Sequence, residues 1–144
     1  MATSIVNVQE NYIDDIFAIE QSEIIVPWSK DALLDLIRKQ NIIFRVMLKD
    51  DIVIGYYSFQ KIFEEGYINN IAIKREYQSQ GYGTQLFQDL LERAEKFEVK
   101  ALTLEVETDN EKAIKLYKKF GFIQEGIRKN FYKNSKDALI MWKR

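Results

Sequence analysis

The sequence of 144 residues contains no cysteine and no histidine. Without cysteine there is no disulfide, no thiolate metal site and no cysteine nucleophile. Without histidine, the commonest general base and the commonest metal ligand are also missing. We therefore expect no bound metal, and we expect any acid–base chemistry to fall to carboxylates, tyrosine or lysine.

Long apolar runs are lacking as well. No stretch approaches the roughly 20 apolar residues that cross a bilayer, and the N-terminal residues lack the basic-then-apolar pattern of a secretory signal. The composition, 47% hydrophobic with 13% aromatic residues, is ample for a packed core, and the length suits one domain. We expect a single cytoplasmic domain over residues 1–144, monomeric by default and without a membrane partner.

Charge is nearly balanced but unevenly distributed. Residues 1–111 contain 11 Lys and Arg against 20 Asp and Glu, whereas residues 112–144 contain 10 against 2. One interpretation is a solvated basic surface, and the other is an acidic region for a basic substrate with a basic region near phosphates. The chain is slightly acidic as a whole and has no helix with a continuous basic stripe, so nucleic acid is not an expected partner.

The most informative stretch runs from Gly66 to Phe97. It begins with a β-prone segment, Tyr67–Ile73, and ends with apolar residues at helical spacing. Between them, Gly81 and Gly83 allow the backbone N–H groups to turn outward and a ligand to approach closely. A strand, a glycine turn and a helix N-terminus make an anion site that a pyrophosphate fits. A plain strand–turn–helix connection is the alternative.

Two common phosphate loops are excluded by the residues around these glycines. A Walker loop requires Gly-Lys-Ser/Thr, but Gly83 is followed by Thr84 and Gln85. A dinucleotide fingerprint requires a third glycine where the chain has Leu86. The pattern that remains is Gln-x-x-Gly-x-Gly, which begins at Gln78.

The rest of the chain predicts the element order β-α-α-β-β-β-α-β-α-β-β. Helix N-caps are predicted at Asn11 and Ser29, and turns at Asp50-Asp51 and Glu64-Glu65-Gly66. This order predicts an α+β fold, with a mixed and mostly antiparallel sheet of about seven strands and about four helices. The predicted strands are Ser4–Val8, Ile42–Leu48, Ile52–Phe63, Tyr67–Ile73, Ala101–Val106, Phe122–Arg128 and Ala138–Lys143.

Two parts of the sequence resemble the GNAT acetyltransferases. The glycine loop is similar to their coenzyme A loop. Their C-terminal signature is matched by Leu104-Glu105-Val106, then Asn110, then Ala113-Ile114-x-Leu116-Tyr117-x-x-x-Gly121-Phe122. The resemblance covers residues 13–141. Within the family, the sequence more specifically resembles the ribosomal-protein-alanine N-acetyltransferases of the RimI type. That narrower likeness rests on Pro27-Trp28-Ser29, Asn70-Ile71-Ala72-Ile73, Arg128-Lys129-Asn130-Phe131-Tyr132 and Asp137-Ala138-Leu139-Ile140-Met141.

This resemblance implies a GNAT fold that opens as a V between Tyr67–Ile73 and Ala101–Val106 and takes acetyl-CoA as co-substrate. The Ile73 amide would polarise the thioester carbonyl. Family members often have arginine where Ser79 stands, which puts a side-chain phosphate contact in doubt but leaves the backbone amides. The implied cofactor-binding residues are Ile71, Ala72 and Ile73 for the pantetheine arm, Ser79, Gln80, Gly81, Tyr82, Gly83 and Thr84 for the pyrophosphate, and Asn110 and Tyr117 farther in.

The resemblance further implies Glu105 as base and Tyr117 as acid, with Trp28 and Tyr132 beside the acceptor. Alternatives are that Glu105 lies on the exposed face of an edge strand and that Tyr117 is an ordinary core aromatic. The implied acceptor is the N-terminal α-amino group of a protein, an alanine of a small-subunit ribosomal protein. Acetylation of a small amine, and a non-catalytic acyl-CoA-binding module, are the competing functions.

Overall fold

The computed structural model describes residues 3–24, 26–132 and 136–144. Within these residues, four helices and seven strands follow one another in the predicted order, and short 3₁₀ turns precede α1 and α3. In chain order the elements are β1 Thr3–Asn7, α1 Ile13–Glu23, α2 Lys30–Arg38, β2 Ile42–Lys49, β3 Ile52–Ile62, β4 Glu65–Ile73, α3 Tyr82–Lys96, β5 Ala101–Glu107, α4 Glu111–Lys119, β6 Ile123–Arg128 and β7 Ala138–Lys143.

All seven strands form one sheet in the order β1-β2-β3-β4-β5-β7-β6. The contact between β4 and β5 is parallel, and every other neighbouring pair is antiparallel. The predicted fold class, a mixed and mostly antiparallel sheet with four helices, is therefore confirmed.

Each face of the sheet carries one apolar core. On one face, Leu33 and Leu36 of α2 pack with residues of α1, β2 and β3. On the other face, Leu86, Phe87 and Leu90 of α3 pack with residues of α4, β5 and β7. Ser29 caps α2 as predicted, because its Oγ accepts from the Ala32 N–H at 3.1 Å. In the described ranges, no helix has the length and apolar character needed to cross a bilayer.

The central parallel contact is short. Only Glu65–Tyr67 of β4 pairs with Ala101–Thr103 of β5, and beyond these residues the two strands separate. Along the other edge of β4, Ser58 pairs with Asn70 but Phe59 pairs with Ile68, so Asn69 is an extra residue in β4. Such a bulge bends the strand that carries it. The bulge follows directly on the last residues that pair with β5, and the sheet opens there.

Two local predictions were wrong. The turn before β4 lies at Phe63 and Glu64, and Glu65 and Gly66 already belong to the strand. The glycine lies under a side chain from β5 rather than in a turn, because a Cβ at Gly66 would lie 2.7 Å from Leu102 Cδ2 and the leucine side chain would have to shift. Asn11 does not cap α1, since it already lies within a 3₁₀ turn and lacks the extended backbone of a cap.

Gly55 offers a test of how closely β3 approaches β4. A Cβ at this position would lie 2.6 Å from Ile73 Cδ1 and 2.9 Å from the Ala72 carbonyl oxygen. The oxygen cannot retreat unless β4 moves. We therefore expect Gly55→Ala to lower the free energy of unfolding by about 1–3 kcal/mol, as measured by urea denaturation.

Gly126→Ala is the matched control for this variant. Its added Cβ would come no closer than 3.5 Å to Ile140 Cδ1, an ordinary contact. We expect a change within about 0.5 kcal/mol. Equal losses in the two variants would contradict the close approach at Gly55.

Candidate functional site

A cleft of about 1330 Å³ occupies the space between the separated halves of β4 and β5. Its walls include Ile68–Ile73, Leu104–Glu107, most of α4 and the segment between α1 and α2. Pockets for drug-sized ligands usually measure about 300–1,000 Å³. The cleft therefore has room for a long ligand together with a second molecule.

One wall of the cleft is an unpaired strand edge. The Lys74 N–H donates to the Ile54 carbonyl of β3 at 2.7 Å. Because successive N–H groups of a strand point to opposite sides, those of Ile73 and Ile71 point away from β3, towards the cleft. The strand β5 has already separated from β4 there. An extended ligand could therefore pair with this edge as an additional strand would.

The glycine loop closes one end of the cleft. Ser79 and Gly81 have left-handed backbone conformations, with φ of 62° and 90°, and α3 begins directly after Gly81. The Gln78 side chain ties the loop to β4, because its Nε2 donates to the Ile73 carbonyl at 2.9 Å. A turned backbone followed by a helix N-terminus fits an anion, as the sequence predicted.

Gly83 departs from the prediction made for it. It lies in the first turn of α3, where its φ is not positive, so of the two glycines only Gly81 takes the left-handed conformation of the turn, as Ser79 also does. A Cβ at Gly83 would meet only Ile73 Cγ1, at 3.9 Å. The glycine therefore leaves the wall of the cleft open rather than allowing the backbone to turn.

Two side chains of the predicted cofactor set do not line the cleft. The Gln80 side chain donates back to the Glu76 carbonyl at 3.1 Å. The Tyr82 hydroxyl accepts from Lys49 Nζ at 2.6 Å. The other residues predicted from the sequence all line the cleft: Trp28, Ile71, Ala72, Ile73, Ser79, Gly81, Gly83, Thr84, Glu105, Asn110, Tyr117 and Tyr132.

Glu105 lies on the stretch of β5 that faces the cleft. Its side chain is 32% exposed, and its Oε2 lies 3.9 Å from Nε of Arg128. The strand is interior to the sheet, between β4 and β7, so the alternative of an edge strand is wrong. Glu105 is reached from the cleft because β4 has separated from β5 at that level.

Tyr117 is largely buried, with its ring against Phe87 and Phe122 at centroid distances of 5.4 and 6.1 Å. Its hydroxyl makes no hydrogen bond within the part of the chain that the structure describes. In those ranges, every fully buried side-chain oxygen has a hydrogen-bond partner. Because the Tyr117 hydroxyl has none, it is not fully buried, and it is accessible from the cleft that Tyr117 lines. Burial raises its pKa, and Tyr132 adds to the effect. Tyr117 therefore keeps its proton at neutral pH and can donate it.

Tyr132 and Asn110 stand at other points of the wall. Burial, followed by the charges of Glu105 and Glu107, raises the pKa of Tyr132 to about 12. Asn110 caps α4, since its Oδ1 accepts from the Ala113 N–H at 3.2 Å. The oxygen of Asn110 is thus used by the helix, and its amide nitrogen is the group left for a ligand.

Opposite charges line different walls of the cleft. Glu23, Glu105 and Glu107 belong to α1 and β5, whereas four lysines belong to α4: Lys112, Lys115, Lys118 and Lys119. This distribution fits the interpretation that the basic C-terminal part lies near phosphates. Among the described residues, no group of three or more carboxylates could hold a metal ion.

Glu20 was not among the residues predicted from the sequence. It is fully buried on α1 and accepts from the Tyr56 hydroxyl, from the Trp28 N–H at 2.9 Å, and from Asn70 Nδ2 at 3.0 and 3.2 Å. It thereby fastens the segment that carries Trp28 to β4, beside the bulge. One signal was available, because position 20 falls four residues after Ile16 on the apolar face of α1, where a carboxylate is unusual.

Glu20 makes the stability of the fold depend on pH. Burial raises its pKa above the ordinary value of 4.5, despite opposing hydrogen bonds from Tyr56, Trp28 and Asn70. Over the window between 4.5 and the raised value, the folded protein holds a proton that the unfolded chain has lost. The contribution of this proton to the free energy of unfolding is fully present below pH 4.5, and it is lost as the pH rises through the folded-state pKa.

The variant Glu20→Gln isolates this contribution, because glutamine does not titrate. We expect the free energy of unfolding of the wild type, minus that of Glu20→Gln, to fall as pH rises from 4.5. Urea denaturation of both proteins at several pH values measures the difference. A difference that stays constant or rises with pH would contradict a raised pKa at Glu20.

Comparison with known proteins gives concordant results. The sequence model of the Acetyltransferase (GNAT) family matches residues 13–122. A Bacillus subtilis (strain 168) protein, named provisionally as a ribosomal protein bS18-alanine N-acetyltransferase, is 39% identical over 94% of this chain and 91% of its own. The crystal structure of the Escherichia coli ribosomal-protein-S18-alanine N-acetyltransferase superposes with a TM-score of 0.90 at 28% identity, covering 98% of this chain and 92% of its own.

A third similarity concerns a structure with a bound ligand. Arabidopsis thaliana Naa50, in complex with the bisubstrate analogue CoA-Ac-MVNAL, has a TM-score of 0.87 at 24% identity. The match covers 100% of this chain and 99% of that one. At this identity the likeness shows the fold alone.

Proposed function

Because the chain belongs to the GNAT family of acetyltransferases, we propose that it acetylates the N-terminal α-amino group of a protein. The family match and the named relatives make the chain an N-acetyltransferase. The proposed acceptor is the N-terminal alanine of a small-subunit ribosomal protein, and the proposed co-substrate is acetyl-CoA. The cleft carries the proposal, because an unpaired strand edge, an anion loop, a carboxylate and a tyrosine hydroxyl border the same space.

Acetyl-CoA fits this cleft in chemistry and in size. The pantetheine arm, which contains two amide groups, would lie along the edge formed by Ile71, Ala72 and Ile73 and accept from the cleft-facing Ile71 N–H, which leaves the Ile73 N–H for the thioester carbonyl. The backbone of residues 79–84 and the N-terminus of α3 would hold the pyrophosphate. Asn110 would bind the arm through its amide nitrogen. The bisubstrate analogue bound by Naa50, which includes CoA and an acetyl group, supports the same assignment.

The proposed reaction is direct attack of the neutral amine on the thioester carbonyl. Glu105 accepts the proton that the nitrogen loses as the N–C bond forms. The Ile73 N–H stabilises the negative charge that develops on the carbonyl oxygen. Tyr117 donates its proton to the sulfur as the C–S bond breaks, so that the products are an amide and a thiol. Tyr117 is suited to this role because it lines the cleft and its hydroxyl makes no hydrogen bond with any residue in the described ranges, so its proton is available to the leaving sulfur.

An α-amino acceptor suits a site without histidine. The reference pKa of an α-amino group is about 7.7–8.0, against about 10.4 for lysine, so the α-amino group is neutral far more often near neutral pH. Trp28 and Tyr132, which both line the cleft, would flank the first residues of the acceptor. The names of the Bacillus subtilis and Escherichia coli relatives support an N-terminal alanine of a ribosomal protein.

We further propose that the protein acts in the cytoplasm, where ribosomal proteins are made, as a monomer with one catalytic domain over residues 1–144. A monomer suffices because one chain supplies every group proposed for the chemistry. The presence of both Glu105 and Tyr117 on the cleft wall argues against a non-catalytic acyl-CoA-binding module.

The two proton-transfer roles are tested by Glu105→Gln and Tyr117→Phe. Each variant keeps the shape of the side chain and removes the proton acceptor or donor. We expect kcat to fall by roughly 10²–10⁴ in each, with little change in acetyl-CoA affinity for Glu105→Gln. Glu92→Gln on α3 and Tyr67→Phe near the closed end of β4 are matched controls outside the cleft. Near-normal turnover of Glu105→Gln would remove Glu105 from the mechanism.

The acceptor is tested with a peptide that begins Ala-Arg and contains an internal lysine. We expect acetylation on the α-amino group, far faster than on lysine, as mass spectrometry locates it. The carboxylates of the cleft should attract the basic peptide, so its kcat/KM should fall as salt rises, whereas that of a neutral peptide should hardly change. Acetyl groups mainly on lysine, or better turnover of spermidine than of any peptide, would overturn this acceptor and favour a small amine.

A further inference from the structure

The loop proposed for the pyrophosphate has no cationic side chain of its own. Residues 78–84 are Gln-Ser-Gln-Gly-Tyr-Gly-Thr. Its attraction for an anion therefore comes from backbone amides and from the end of α3, which acts as only about half a positive charge. A pyrophosphate with an additional phosphate carries several negative charges, and a nearby cation would add substantially to its binding.

The structure brings such a cation to the loop from another helix. Lys112 lies in the first turn of α4, and its Nζ donates to Ser79 Oγ at 2.6 Å. The two residues are 33 positions apart in the sequence, and both line the cleft. The contact places an ammonium group directly at the turn where Ser79 and Gly81 have positive φ.

Other cations around the loop have partners that occupy them. Arg75 pairs with Glu23 at 3.2 Å, and Lys74 lies 3.7 Å from Glu76. Lys49 donates to the Tyr82 hydroxyl, which does not line the cleft. In contrast, Lys112 makes no ion pair with any residue in the described ranges. Its partner is a neutral hydroxyl, which an anion can displace at small cost because the ammonium gains a charge-assisted hydrogen bond.

We propose that Lys112 is an anion-binding residue of the cofactor site, which exchanges Ser79 Oγ for a pyrophosphate oxygen when the coenzyme binds. The inference rests on the proposed function, because it takes the ligand to be coenzyme A. Ser79 lies in the loop that would hold the pyrophosphate, so the contact is assigned to that group and not to the 3′-phosphate. Helix α4 would thus contact two parts of the ligand. Its N-cap, Asn110, would contact the pantetheine arm, and Lys112 would contact the pyrophosphate.

Calorimetric titration with coenzyme A tests the proposal. We expect Lys112→Ala to raise the Kd by roughly 3- to 10-fold, the range for one partly screened, charge-assisted contact. Lys112→Arg should keep the Kd within about 2-fold, because it keeps the charge. The loss in Lys112→Ala should shrink at high salt. Thermal unfolding checks that the exposed substitution leaves the fold intact.

Substitutions of two other lysines distinguish a specific contact of Lys112 from a general effect of positive charge on binding. Lys119→Ala removes the same charge from α4, about 10 Å farther along the helix, and should weaken binding less than Lys112→Ala. Lys96→Ala, at the far end of α3 and outside the cleft, should leave the Kd unchanged. Equal losses of affinity in Lys112→Ala and Lys119→Ala would indicate a general effect of charge rather than a specific contact, and would overturn the proposal.

Dephospho-coenzyme A, which keeps the pyrophosphate and lacks the 3′-phosphate, identifies the group that Lys112 binds. We expect the same fold-loss for this ligand as for coenzyme A. A loss seen with coenzyme A alone would overturn the assignment to the pyrophosphate. Wild-type protein that binds neither ligand would refute the proposed function as well. Wild-type binding with no loss in Lys112→Ala would refute only the role of Lys112.

Discussion

The separation of β4 from β5 is the constraint on which the rest of the molecule depends. A strand in the middle of a sheet normally has both edges paired, because buried backbone N–H and C=O groups are costly when unpaired. Here β4 keeps β3 along one edge and loses β5 after Tyr67. The unpaired edge is tolerated because it borders a cleft that solvent or a ligand fills. An unpaired strand edge would weaken an ordinary sheet, but here it is the feature that could bind an extended ligand.

Several contacts hold β4 in this position. Gly55 lets β3 approach β4 more closely than a side chain would permit, and Gly66 leaves room for the side chain of Leu102 on β5. The buried carboxylate of Glu20 binds Asn70 on β4 and the backbone of Trp28 at the same time. Glu20 is costly to bury, and its raised pKa expresses that cost. The burial of Glu20 thus lowers stability, but it fixes the edge of β4 relative to the segment that carries Trp28, which is proposed to flank the acceptor.

The cleft also separates two electrostatic tasks. In the proposed mechanism, Glu105 of β5 stands where the acceptor nitrogen would lose its proton, whereas Lys112 of α4 contacts the anion loop at Ser79. Arg128 lies on β6, two strands away from β5, and its Nε, 3.9 Å from Glu105 Oε2, partly balances the charge of the proposed base. The proposed mechanism uses only the placement of an already nucleophilic amine, one proton acceptor and one proton donor.

The sequence by itself determined the element order, the fold class and the glycine turn before α3. These follow from local patterns, since periodicity, caps and glycines act within a few residues. The two residues proposed for proton transfer came instead from the resemblance to the GNAT family. The tertiary structure alone decided where β4 begins, how far it pairs with β5, and that Gln80 and Tyr82 turn away from the cleft. It alone revealed the partners of Glu20 and the contact of Lys112 with Ser79. Those features depend on groups that lie far apart along the chain, such as Glu20 and Asn70, and no local pattern specifies which distant side chain will satisfy a buried or turned group.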